Sequence, residues 1–288
     1  MGRLSWKISL VLAIGFQIPA RVLDAQTGAE IIAAIERESG VPSRENTVDT
    51  FKAGDPATPV RGIAVTMMAT LDVLKQAVAK GHNLVITHEP VFYSHRDVTD
   101  GLRAESDSVF AIKQRFIADN GLMVWRFHDR PHAMQNDMIR TGMLRALGWE
   151  NRRSASSPLV VELENITVAA LARHLQSRLH AGAVRIVGDS TATVSRIGFT
   201  QGFPGFAANK AAVQPSVDAL VMGEDHEWET IAYATDAITA GRLKAAVVIG
   251  HTPSEQAGME EVARWLKTFI TKVSVEFIPA RDPFVPLS

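Results

Sequence analysis

Six side chains in three short stretches offer imidazole and carboxylate at spacings suited to holding metal. The stretches are Thr87-His88-Glu89-Pro90, His128-Asp129-Arg130-Pro131-His132 and Gly250-His251-Thr252-Pro253-Ser254-Glu255. Nitrogen from His with oxygen from a carboxylate is the usual shell of a catalytic transition-metal centre. The chain has no cysteine, so thiolate ligands and disulfides are excluded.

Each stretch follows an apolar run: Leu84-Val85-Ile86, Leu122-Met123-Val124-Trp125 and Ala246-Val247-Val248-Ile249. In open α/β sheets, ligands bind just past the carboxyl ends of strands. Three strand ends carrying His and Glu therefore point to one shared site. Consecutive strand side chains face opposite ways, so His88 and Glu89 meet only if the chain bends, and Pro90 favours a bend. Pro131 lies between His128 and His132, which removes the simple helix-face argument for that pair. The expected geometry puts His128 at the strand end and His132 in the first turn of the next helix, with Pro131 at its first position. Asp129 is expected to cap that helix. Thr252-Pro253-Ser254-Glu255 has the form of a capping box, so Glu255 reads as either a backbone cap or a ligand beside His251.

Other groups are open to more than one reading. Asp225-His226-Glu227 follows a fourth strand and offers a group behind the ligands, a substrate contact or a solvated turn. His95, in Ser94-His95-Arg96-Asp97, is placed to reach a substrate. His174 and His180 fall in or near a surface helix and carry no expected function. Gly202-Phe203-Pro204-Gly205 could present backbone amides to an anion. No Walker or dinucleotide fingerprint and no Gly-x-Ser-x-Gly elbow is present.

The elements that must position these groups alternate. Helices are expected over Thr27–Ser39 (with Gly40 as its stop), Leu71–Lys80, Ser106–Ala118, Ala133–Leu147, Thr167–Leu179, Thr230–Gly241 and Pro253–Thr268. Strands are expected over Gly62–Met68, Asn83–Thr87, Leu122–Phe127, Val184–Val187, Val194–Thr200, Ala219–Met222, Ala245–Ile249 and Val273–Ile278. Asn46–Pro59 reads as loop. The polar stretch Asn151–Pro158 is the best break, giving possible halves 26–150 and 151–288. The alternation implies an α/β fold with helices on the faces of the sheet, and a parallel pair around Leu71–Lys80. Both halves run strand, helix, strand, then His/Glu, which hints at a duplication.

With 288 residues and 46% hydrophobic content, the chain can bury a sizeable core. Its net charge of −1, with charges interspersed, gives no basic footprint for nucleic acid. Arg3 and Lys7 precede the apolar run Ile8–Phe16, the pattern of a signal peptide over residues 1–25 with cleavage after Ala25. That implies a secreted or periplasmic mature chain starting near Gln26. The run is too short to leave a stable membrane insertion.

The motifs together resemble the Nif-three-like family of dinuclear metal-centre proteins, some of them called type 2 homologues of GTP cyclohydrolase I. The resemblance extends from about Gly28 to Pro279. Val60–Phe92 is similar to the family's strand-helix-strand ending in Thr-His-His-Pro. His128 through Asn136-Asp137 is similar to its His-Thr-Asn-x-Asp and following Asn-Asp. Gly250–Glu255 is similar to its Gly-His-x-x-x-Glu, and Gly223-Glu224 stands at its Thr-Gly-Asp or Thr-Gly-Glu. The second His of the first motif is Glu89 here, and the Asp of the middle motif is His132. The swaps are complementary, so the ligand total is kept. The resemblance implies a three-layer α/β/α fold with two similar intertwined subdomains and mixed sheets. It also implies a toroidal homo-hexamer and two divalent cations (Zn, Fe, Mn or Ni) held by His88, Glu89, His128, His132, His251 and Glu255. The expected activity is metal-dependent hydrolysis of a small molecule, a phosphoester, nucleotide-like or cyclic amide compound. Glu255 would bridge the cations, and Glu89 would be a ligand or general base. The alternative is a non-enzymatic periplasmic metal-binding protein or oligomeric scaffold.

Overall fold

The structure is a computed structural model that describes residues 25–285. The signal peptide expected over 1–25 therefore lies, apart from Ala25, outside the described residues. Among the described residues, no helix is long and apolar enough to cross a membrane.

Two mixed sheets carry the fold. The strands are β1 (Phe51–Ala53), β2 (Gly62–Thr66), β3 (Leu84–Thr87), β4 (Met123–Arg126), β5 (Arg153–Ser154), β6 (Ser157–Thr167), β7 (Arg185–Gly188), β8 (Thr193–Phe199), β9 (Ala219–Met222), β10 (Ala245–Val248) and β11 (Ser274–Phe277). The helices are α1 (Gly28–Ser39), α2 (Leu71–Ala79), α3 (Asp100–Ala104), α4 (Ser108–Asp119), α5 (Asp129–Ala133), α6 (Met138–Leu147), α7 (Val168–Leu179), α8 (Phe206–Ala212), α9 (Ala232–Thr239) and α10 (His251–Leu266). The first sheet has the order β1-β4-β3-β2-β11 and the second β5-β6-β8-β9-β10-β7. β11, β2, β3 and β4 run parallel, as do β8, β9 and β10. The chain thus returns to the first sheet after completing the second. The α/β class expected from the alternation is the class found.

Local chemistry explains the boundaries. Thr27 and Glu30 close a capping box on α1, and Gly40 ends it in the left-handed region at φ 65°. Thr70, Asp107, Asp137 and Thr167 each accept an amide at the start of α2, α4, α6 and α7. β2, β3, β4, β9 and β10 are buried along their whole length, which is why they read as unbroken apolar runs.

The core lies on both faces of the sheets. On β9, Ala219 and Val221 face α6 and α7, while Leu220 and Met222 face α8 and α9, the period-two alternation of a strand covered on both sides. Each buried Val, Leu or Ile contributes roughly 1.5–3 kcal/mol. α6 and α10 pack on each other between the sheets. Met138 and Met259 join the core of the first sheet, Leu144 and Leu147 that of the second. Their close crossing needs glycine: a Cβ on Gly142 would meet the backbone of Ala257, and one on Gly258 would meet that of Ile139.

Three expectations are corrected. The segment 46–59 contains β1, which pairs with β4 as an antiparallel edge. The helix expected over 133–147 starts only at Met138, because Met134 is extended (ψ 151°) and Asp137 caps the new start; Ala133 ends the separate short helix α5. The helix expected from Pro253 begins at His251, so Thr252 is inside it and is no cap.

Candidate metal centre

The three stretches meet. β3 and β4 end side by side, and the carboxyl end of β10 comes up against them through the first turn of α10. Thr66 and Met67 carbonyls accept the amides of His88 and Glu89, which carries the ladder past β3 and lets the chain bend before Pro90. The turn after β4 is held from a distance. Asp49 accepts the amides of His128, Asp129 and Arg130 at 2.7, 2.8 and 2.9 Å. Asp49, which the sequence reading missed, therefore does the capping expected of Asp129. Asp129 instead accepts from Val48 and Thr47 with one oxygen and from His128 Nδ1 with the other.

The four imidazoles share one arrangement. Nδ1 of His88 lies 3.0 Å from the Phe127 carbonyl, that of His128 2.9 Å from Asp129, that of His132 3.0 Å from Asp137 and that of His251 2.9 Å from Glu224. A carbonyl only accepts, so His88 Nδ1 carries the hydrogen and Nε2 is a lone pair. All four Nε2 atoms turn towards Glu89 and Glu255. His251 Nε2 is 3.3 Å from Glu89 and 3.2 Å from Glu255, and His88 Nε2 is 3.6 Å from Glu255. His128 lies 3.7 Å from Glu89, and His132 3.9 Å from Glu255. His88 stacks on His128 with ring centres 4.6 Å apart.

The electrostatics ask for a cation. Burial pushes the wholly enclosed His88 down to about 4, so it is neutral at pH 7. Its Nε2 and the Oε2 of Glu255 are buried without a hydrogen-bond partner. A lone pair facing a carboxylate is unfavourable until something positive stands between them. Burial also opposes charge on His251. The three carboxylates of Glu224, Glu255 and Glu89 outweigh it and raise this imidazole to about 12. Burial would raise Glu89, but His251 and the other imidazoles pull it down to about 2.

Three further residues complete the frame. Arg126 is fully buried at the end of β4; it donates to the His88 carbonyl at 2.9 Å, to the His95 carbonyl, and to Glu89 at 3.4 Å. Glu224 and Asp137 orient His251 and His132. Their positions after β9 and at the start of α6 were visible in the sequence, but their partners were not. The neighbouring Asp225 accepts from Asn209 and Thr230 instead, and so shapes the turn. Gly202 does not offer its amide to an anion, because Ser254 Oγ accepts it at 2.8 Å.

Within the described residues, His88, His128 and His132 form one group able to hold a metal ion, and His88, Glu89 and Glu255 another. The donor set of imidazole and carboxylate suits a divalent transition metal. Each imidazole already has its outer nitrogen tied to oxygen, the usual support of a metal-bound His. A cavity of about 700 Å³ opens over the cluster, lined also by Tyr93, His95, Arg140 and Phe203.

Comparison with known proteins bears on fold and family. The chain is 23% identical over 249 residues to a GTP cyclohydrolase 1 type 2 homolog of Chlamydia pneumoniae, covering 81% of this chain and 90% of that one. A Clostridium acetobutylicum protein of the same name is 23% identical over 182 residues, 59% of this chain and 65% of that one. Among solved structures, Staphylococcus aureus hypothetical protein SA1388 superposes with a TM-score of 0.71 at 18% identity, over 92% of this chain and all of that one. A Bacillus cereus protein related to NIF3 gives 0.69 at 15% identity, over 91% and 99%. These likenesses are of fold. Residues 47–283 match the model of Duf34/NIF3 (NGG1p interacting factor 3), and the chain belongs to that family.

Proposed function

We propose that the protein is a metal-dependent hydrolase in which His88, Glu89, His128, His132, His251 and Glu255 hold two divalent transition-metal ions. One observation carries the reading: four imidazoles with bonded Nδ1 atoms aim their Nε2 atoms at two enclosed carboxylates, leaving His88 Nε2 and Glu255 Oε2 without partners. Zn, Fe, Mn and Ni all suit this donor set. When bound, such ions activate water and polarise a substrate oxygen. Glu255, whose two oxygens face different imidazoles, would be shared between the two ions.

The chain's own residues divide the remaining work. Glu89, held to about 2, is too weak a base to take a proton near neutrality and serves better as a ligand. His95 lines the cavity, and burial together with the charge of Arg126 lowers its pKa, so it is unprotonated at pH 7 and fit to accept a proton. Tyr93 and Phe203 are exposed rings on the cavity wall. They suit a planar heterocycle, in line with a small nucleotide-like substrate and with the name of the curated relatives. Export to the periplasm or exterior, and assembly into a homo-hexamer, belong to the same proposal.

The test is elemental analysis of protein purified without chelator, then a panel of phosphodiesters and nucleotides with His251→Ala alongside. The reading expects about two equivalents of metal per chain and turnover that His251→Ala abolishes. Protein lacking stoichiometric metal would overturn it. Metal without His251-dependent turnover would favour a metal-binding or scaffold role instead.

A further inference from the structure

Arg140, in the first turn of α6, forms part of the wall of the metal cavity. Its Nη1 donates to the Phe199 carbonyl at 2.9 Å, and the Phe199 ring centre lies 5.2 Å from the guanidinium carbon. That leaves the Nε–Nη2 edge, and both nitrogens are enclosed without a hydrogen-bond partner. Asp137, the acid at the start of the same helix, is already committed. One of its oxygens accepts the Arg140 amide at 2.9 Å, and the other faces His132 Nδ1 at 3.0 Å. A second guanidinium stands close by: Arg153 donates only to the Thr141 hydroxyl, at 3.4 Å. Neither arginine forms an ion pair among the described residues. Burial, and then the charge of Arg153, pull Arg140 down to about 10 against the attraction of Asp137, so it stays charged at pH 7.

Gln201 follows two residues after Phe199, where β8 has ended, and lines the same cavity. Its amide nitrogen and oxygen are likewise enclosed without partners. Turning Gln201 so that its oxygen met Arg140 would still leave guanidinium N–H bonds and the amide nitrogen unpaired. Donors outnumber acceptors here, and a positive charge is unanswered. Water supplies an acceptor but no negative charge. β8 runs parallel to β9, and β9 to β10, whose ends lead into Glu224 and His251. Arg140 and Gln201 thus stand at the next strand end in the row that builds the metal centre. The Nε–Nη2 edge carries two parallel N–H bonds, the fork that matches two oxygens of one anion. Gln201 Nε2 adds a third donor, which suits the three oxygens of a phosphate monoester better than the two of a carboxylate.

We propose that Arg140 and Gln201 grip a phosphate monoester on the substrate, a handle distinct from the group that reacts at the metal cluster. This rests on the reading of the cavity as a substrate site. It narrows the substrate to a phosphorylated small molecule whose scissile bond lies elsewhere in it.

The test titrates metal-stripped full chain with AMP, adenosine and inorganic phosphate, followed by ligand-observed NMR. Without metal the cluster cannot hold phosphate through an ion, and nothing turns over. AMP should saturate one site and bind about tenfold or more tighter than adenosine. Arg140→Met should reduce AMP to the affinity of adenosine. Arg140→Lys, which keeps the charge and loses the fork, should fall between. Gln201→Leu should weaken AMP about threefold, and these two variants keep the proposal open to refutation should Arg140→Met not fold. Inorganic phosphate should displace AMP. No saturable binding of AMP, equal affinity for AMP and adenosine, or affinity indifferent to both Arg140→Lys and Gln201→Leu overturns the proposal. So does AMP that inorganic phosphate cannot displace. Turnover in a protein whose AMP affinity ignores Arg140 would remove the handle and leave the hydrolase. Arg140-dependent AMP binding without turnover of any substrate would do the reverse.

Discussion

His251 Nδ1 stands 2.9 Å from Glu224 Oε1, a pairing that joins the start of α10 to the end of the neighbouring strand β9. It fixes the ring so that Nε2 faces Glu89 and Glu255. Removing such a support typically costs 10–100-fold in metal affinity. Glu224→Ala should therefore weaken metal binding by about that factor, while Glu224→Gln, which keeps an acceptor oxygen, should weaken it less. Titration against a chromogenic chelator measures both. Equal affinity in all three proteins would show that Glu224 does not position His251.

The metal-free protein should be most stable near pH 6.5. His88 is held down to about 4 from an ordinary 6.5, so between pH 6.5 and 4 the unfolded chain binds a proton that the folded chain refuses, and stability falls with pH. His251 is held up to about 12, so its contribution is complete below 6.5 and is lost as pH rises from there towards 12. Glu89, held to about 2 from an ordinary 4.5, adds to the acid limb below pH 4.5. Urea midpoints across pH 4 to 9 give the curve. His251→Gln should flatten the alkaline limb; an unchanged limb would mean the imidazole is not held charged.

Metal affinity should rise with pH for the same reason, because a ligating imidazole must give up its proton. Binding should release protons between pH 6 and 9, and calorimetry in buffers of different ionisation enthalpy would count them. Binding without release would contradict a charged His251 in the metal-free protein.

Gly202 lies in the left-handed region at φ 60°, and a Cβ there would stand 2.6 Å from Glu255 Cδ. Gly202→Ala should cost about 1–2 kcal/mol in backbone strain. It should also push the Glu255 carboxylate out of place, with at least a tenfold loss of metal affinity. Loss of stability without loss of metal would show that the carboxylate has room to move.

At the crossing of α6 and α10, Gly258→Val should force apart two helices whose backbones touch. The cost should be about 1–3 kcal/mol or more, seen as a lower urea midpoint. An unchanged midpoint would show that the layer between the sheets is slack.

The strands that carry the cluster were legible because they are covered on both faces and read as unbroken apolar runs ending in His or Glu. Helix α1 was legible from the helical period of its apolar residues and from Gly40 at its end. What escaped was non-local. β1 exists only because β4 offers it an edge. Asp49 acts on amides about 80 positions away, and Arg126 hides its guanidinium inside a strand end. The Thr252 capping box looked sound, yet the helix starts one residue after Gly250, whose φ of 90° lets the chain turn straight from β10 into His251.

The late return of β11 to the first sheet has a consequence for biogenesis. As the polypeptide emerges amino end first, β2 must wait with an open edge until residues 274–277 arrive to pair with it. By then the whole second sheet has left the exit channel. An unpaired strand edge is where chains stick to one another. Newly made protein is therefore most in need of a chaperone during that interval, and stalled synthesis would strand it there.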